Sequence, residues 1–94
     1  MTLSTHVLDT EHGRPAAGVH VELWQDEVLV GSGDTDADGR IRELAAGEPG
    51  AYTLVFRPPS PFFRRVELEL DLGDGHYHVP LLVSSYACAT YRGS

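Results

Sequence analysis

The chain has 94 residues, with 14 acidic side chains against seven basic ones, and a formal charge of −7. That balance excludes nucleic acid and anionic membrane surfaces as partners, since both are gripped by cationic side chains. All seven basic residues are arginine, which excludes Schiff-base chemistry, and the lone Cys88 excludes an intrachain disulfide or a multi-cysteine zinc site.

The length suits one domain, residues 1–94, whose modest core favours a site shared between subunits. No basic stretch followed by a long apolar run opens the chain, so neither a signal peptide nor a membrane span is expected. The expected compartment is the cytoplasm, where a free cysteine is at home.

Short alternating runs broken by Gly, Pro and Asp predict eight strands and no helical core. The first covers residues 4–9 and ends at the turn Glu11-His12-Gly13-Arg14-Pro15. The second covers 19–25, with Val19, Val21 and Leu23 alternating with His20, Glu22 and Trp24. The third covers 28–32. Asp34-Thr35-Asp36-Ala37-Asp38-Gly39 then turns into a short fourth strand, 40–44. The fifth covers 52–56.

Pro58, Pro59 and Pro61 remove three backbone donors, so the next connection cannot be a central strand. The sixth strand, 63–72, carries Val66, Leu68, Leu70 and Leu72 on one face and Arg65, Glu67, Glu69 and Asp71 on the other. The seventh covers 76–83 and the eighth 86–92, where Cys88 is expected to be a small, partly buried residue. Regularly spaced short strands predict a sandwich or barrel.

His76-Tyr77-His78 puts two imidazoles on one face of a strand, a spacing open to proton transfer, metal binding or plain surface residues. The Asp34–Gly39 run opens like a calcium loop, but the position that should hold a bidentate Glu is Ala45, so a solvated turn is expected. His6 lies within the first strand, while His12 and His20 are expected to face solvent. No Gly-x-Ser-x-Gly elbow and no phosphate loop occur. Histidine and arginine remain, a pair suited to general acid–base attack of water on a polarised carbonyl.

Four segments in order resemble one family. Leu3-Ser4-Thr5-His6-Val7-Leu8-Asp9 with Gly13-Arg14-Pro15-Ala16, then Thr35-Asp36-Ala37-Asp38-Gly39-Arg40, then His76-Tyr77-His78-Val79-Pro80-Leu81-Leu82, and finally Tyr91-Arg92-Gly93-Ser94, are similar to the signatures of 5-hydroxyisourate hydrolases in the transthyretin-like family. The resemblance implies an eight-stranded transthyretin-type (prealbumin-like) β-sandwich. It implies a homotetramer with active sites in the channel between dimers. It implies hydrolysis of 5-hydroxyisourate to the ring-opened 2-oxo-4-hydroxy-4-carboxy-5-ureidoimidazoline, with no organic cofactor and no metal.

Carried over position by position, the catalytic set is His6, Arg40 and His78. His76 and the tetrapeptide Tyr91, Arg92, Gly93 and Ser94 are the substrate-binding residues. The resemblance leaves open which histidine is base and which is acid. Family members have a longer connection with a surface helix where this chain has Arg57–Arg65. The three prolines there predict that the helix is missing. The competing reading is a non-catalytic binding module like the hormone-carrying transthyretins, which lack the histidine set and the terminal Tyr-Arg-Gly-Ser.

Overall fold

The computed structural model describes residues 1–94, and they form ten strands and no helix. In chain order these are β1 (Thr2–Asp9), β2 (Arg14–Pro15), β3 (His20–Gln25), β4 (Val28–Asp34), β5 (Arg40–Ala46), β6 (Gly50–Arg57), β7 (Val66–Leu72), β8 (His76–His78), β9 (Leu81–Val83) and β10 (Cys88–Thr90). One sheet runs β4-β3-β6-β7, antiparallel throughout. The other is centred on β1, with β8 and β9 parallel to it on one side, β5 and the short β2 antiparallel on the other, and β10 outside β9.

The alternation of apolar residues dictates which faces meet. Leu3, Thr5 and Val7 of β1, with Leu81 and Val83 of β9, are essentially inaccessible. They pack against Val21 and Leu23 of β3 and Tyr52, Leu54 and Phe56 of β6, giving the core of a β-sandwich. Along β7, Val66, Leu68 and Leu70 are half-buried and Leu72 is buried, while Glu67, Glu69 and Asp71 are exposed, as their alternation predicts.

The strands differ from their predicted extents in instructive places. Predicted strand seven is a single line of chain in one register along β1, from Thr2 opposite His76 to Asp9 opposite Val83, interrupted only at Val79-Pro80. Proline has no N–H for the ladder. The buried Thr5 hydroxyl fills the gap by donating to the Val79 carbonyl at 2.7 Å. Predicted strand six loses its first three residues, because the Ser60 hydroxyl accepts the N–H groups of Phe62 and Phe63 and closes the proline-rich connection as a turn. The connection holds no helix.

Predicted strand eight shrinks to Cys88–Thr90, and here the expectation for Cys88 fails: its side chain is exposed. β10 is the outermost strand of its sheet, and nothing in the chain covers it. The turn after β1 also pairs briefly, Leu8 with Pro15 and Asp9 with Arg14, to make β2.

Candidate active site on the outer face of the β1 sheet

Opposite to the core, β1 shows Thr2, Ser4 and His6 on its outer face, as the two-residue period requires. β8 runs beside it in parallel, so Thr2 lies across from His76 and Ser4 from His78. On the other side β5 pairs His6 with Arg40. Three segments far apart in the chain thus bring two imidazoles, a third from β1 and one guanidinium to a single sheet face.

Arg40 makes no ion pair within the chain, although acidic residues outnumber basic ones two to one. Its neighbour Arg42 is paired with Asp36 at 3.1 Å. An unpaired guanidinium flanked by histidines is a natural seat for an anion or a polarised carbonyl oxygen.

The turn before β5 sets this arrangement. Asp36 accepts the N–H groups of Asp38 (2.9 Å) and Arg40 (3.0 Å). The Arg40 N–H is the main reason its carboxyl is held below the usual carboxylate range. With its oxygens occupied by these donors and Arg42, the Asp-rich loop is a backbone device that launches Arg40. No group of three His, Cys, Asp or Glu side chains stands close enough to hold a metal ion.

The Asp38 carbonyl accepts a hydrogen bond from His6 Nε2 at 2.8 Å. A carbonyl only accepts, so the proton of neutral His6 sits on Nε2 and Nδ1 is left as an acceptor. Gly39 next door has φ +75°, and a Cβ there falls 2.4 Å from the Val7 carbonyl oxygen. Gly39→Ala is therefore expected to lower stability by about 1–3 kcal/mol, from left-handed backbone strain alone. It should also shift both His6 and Arg40. Chemical denaturation compared with Gly13→Ala, where φ is +67° but no atom lies within 4 Å, separates the clash from the strain.

His78 is half-buried, and its Nδ1 shares a 2.8 Å hydrogen bond with Ser4 Oγ. Its Nε2 has no partner within the chain. Burial, and then the charges of Arg40, His6 and His76, push its pKa below that of an ordinary imidazole. His78 therefore stays neutral, with a free nitrogen, at neutral pH.

The C-terminal tetrapeptide divides between two places. The Gly93 N–H donates to the His78 carbonyl at 2.6 Å, bridging the tail to β8. A Cβ at Gly93 falls 2.6 Å from His78 Cδ2, so only glycine lets the backbone lie this close to the ring. Arg92 instead lies over the Tyr77 ring, 4.3 Å from its centre, on the opposite face of β8 from His76 and His78. There Tyr91 and Arg92 line a groove of about 390 Å³ with Tyr77, Val79 and the β7 edge. Ser94 is exposed beyond Gly93.

His12 and His20 stand apart from the cluster. His12 bonds Asp9 at 2.8 Å, and His20 bridges Asp34 and Glu22, of which Asp34 is the main cause of its raised pKa. Ser4 and Thr2 share the outer face with the cluster but carry no motif that marks them in the sequence. Their position at i−2 and i−4 from His6 is the local signal that places them there.

A family model described as the HIUase/Transthyretin family matches residues 3–93. A 5-hydroxyisourate hydrolase of Salmonella typhimurium is 39% identical over 109 aligned residues, covering 98% of this chain and 80% of that protein. The structure of Klebsiella pneumoniae 5-hydroxyisourate hydrolase superposes with a TM-score of 0.90 at 35% identity, over 99% of this chain and 98% of that one. Transthyretin from Sparus aurata superposes with a TM-score of 0.86 at 26% identity, over 97% of this chain and 95% of that one.

Proposed function

The chain belongs to the HIUase/transthyretin family, and on that premise we propose that it hydrolyses 5-hydroxyisourate with His78 as general base and Arg40 as the group that holds the developing oxyanion. The observation that carries this reading is the unpaired Arg40 set beside His6 and His78 on one outward face.

Neutral His78 takes a proton from water as its oxygen attacks the ring carbonyl. Charge then collects on the carbonyl oxygen, where Arg40 meets it with a fixed pair of donors. Collapse breaks the ring C–N bond, and His78 returns a proton to the departing nitrogen. The new carboxyl group loses its proton to solvent, so each turnover releases one proton. His6, held by Asp38, presents Nδ1 as an acceptor for a substrate N–H or hydroxyl. The mechanism asks nothing of a metal or an organic cofactor.

The reading extends to assembly and compartment. His6, Arg40 and His78 lie on an open sheet face and line none of the main grooves of the chain. A homotetramer with sites in the channel between dimers gives such a face its missing wall. The enzyme is assigned to the cytoplasm, where the exposed Cys88 thiol stays reduced.

Freshly generated 5-hydroxyisourate, followed by its ultraviolet absorbance, is expected to decay faster with the protein than in buffer. Decay at the buffer rate would favour a non-catalytic binding module instead. Sedimentation equilibrium at micromolar concentration is expected to give a tetramer, and a monomer there would overturn the shared-channel arrangement.

A further inference from the structure

Four polar groups form an unbroken line along the outer face. Thr2 Oγ1 lies 2.6 Å from His76 Nδ1. His76 Nε2 lies 2.9 Å from Ser4 Oγ. Ser4 Oγ lies 2.8 Å from His78 Nδ1. The parallel register places Thr2 opposite His76 and Ser4 opposite His78, and the Ser4 carbonyl is itself held by the Val79 N–H at 3.0 Å. Ser4 is only 8% exposed, beneath the two rings, while Thr2 and His76 open to solvent.

The Ser4 hydroxyl has one proton and no third partner in the chain. If it donates to His78 Nδ1, then His76 Nε2 must donate to Ser4, and the proton of His78 lies on Nε2. If it donates to His76 Nε2, then His78 Nδ1 donates to Ser4, and His78 Nε2 is a bare lone pair. Only the second polarity makes His78 a base at its free nitrogen. One hydroxyl therefore decides the tautomers of both histidines.

We propose that Ser4 is a positioning residue that sets the tautomer of His78 and, through His76 and Thr2, carries a proton between His78 and solvent. This deepens the hydrolase reading and rests on it. His78 Nε2 takes a proton from the attacking water. His78 Nδ1 passes its own proton to Ser4 Oγ as the Ser4 proton moves to His76 Nε2. The His76 Nδ1 proton moves to Thr2 Oγ1 as the Thr2 proton leaves to bulk water. Each group ends neutral, and no alkoxide accumulates.

The line now has the opposite polarity, with the proton of His78 on Nε2, ready for the departing nitrogen. Giving it up draws one proton back along the same line and restores the base. The line itself carries one proton out and one in, so it gains none. The net proton released per turnover is the one lost by the new carboxyl group. His76, expected from the family pattern to touch substrate, acts in this account through His78.

The test uses the assembled wild-type protein, Ser4→Ala, Ser4→Thr and His76→Gln, compared at equal tetramer fraction. Ser4→Ala is expected to lower kcat by about 10–100-fold, the usual cost of losing a group that orients a reacting one. KM should stay within about twofold, because the binding groups are untouched. Ser4→Thr, which keeps the hydroxyl, should restore most of kcat. His76→Gln, at an exposed position outside the core, should lower kcat in the same way.

Nitrogen-15 spectra of the imidazoles provide a readout independent of turnover. In the wild type His76 and His78 should each carry the ring proton on Nδ1, and in Ser4→Ala that of His78 should spread over both nitrogens. Unchanged kcat and unchanged ring spectra in Ser4→Ala would overturn the proposal. Wild-type protein without turnover would instead remove the hydrolase reading, and the imidazole spectra alone would then decide whether Ser4 couples the two rings.

Discussion

Replacing His78 with alanine is expected to lower kcat by about 10²–10⁴-fold, the range general acid–base groups supply. The ring stands on an outer sheet face, so its loss removes no core contact, and β-sheet circular dichroism should be unchanged. Arg40→Ala should cost about 10²–10³-fold, as expected for a donor to a developing oxyanion. His6→Ala should also be damaging, whereas His12→Ala, whose ring bonds only Asp9, should have little effect.

The pH profile adds a sharper requirement. The base must be neutral, so activity falls as pH drops through the His78 pKa. Burial first, and then Arg40, His6 and His76, hold that pKa below about 6.5, the value of an unperturbed imidazole. The acid limb of kcat/KM is therefore expected below pH 6.5, and Arg40→Gln should move it upward by removing a neighbouring cation. The unfolded chain binds this proton more readily than the folded one. Folding accordingly weakens as pH falls from about 6.5 through the lowered value. An acid limb that stays fixed in Arg40→Gln would break the assignment of His78 as base.

Deleting Tyr91–Ser94 is expected to abolish measurable turnover, although terminal residues are commonly dispensable. The reason lies in Gly93. Its N–H holds the His78 carbonyl, and its bare Cα lies against the His78 ring edge. Without it β8 loses its neighbour on that side and the His78 ring is free to turn. A misplacement of about 1 Å at such a position costs on the order of a hundredfold.

Gly93→Val tests the same contact without shortening the chain, since its side chain must displace either the ring or the tail. Arg92→Ala should be milder, because Arg92 lies over Tyr77 on the opposite face of β8. The comparison belongs at matched tetramer fraction, since Tyr91 and Arg92 line a groove at the β7 edge. Full turnover in a folded, tetrameric deletion variant would show that the tail takes no part in the site.

The sequence by itself determined the class of fold, because the alternation of Val66 to Leu72, of Val19 to Trp24 and of Leu3 to Val7 is a local property of each strand. It also determined the turn that matters most, the one before β5, since the Asp36 carboxylate and the left-handed Gly39 act within a few residues of themselves. Motifs singled out His6, Arg40 and His78 as candidates, and the prolines made the missing helix legible. What only the tertiary structure decided is which strand lies beside which. Ser4 meets His76 and His78 across more than 70 residues of chain, and no local pattern encodes a parallel register between β1 and β8. The same holds for Cys88, left exposed because β10 is an edge, and for Arg92, which lies over Tyr77 on the face of β8 away from His76 and His78. Side-chain period is set within a strand, whereas the partner of a strand is chosen by the packing of the whole sandwich, where distant apolar faces find the core they share.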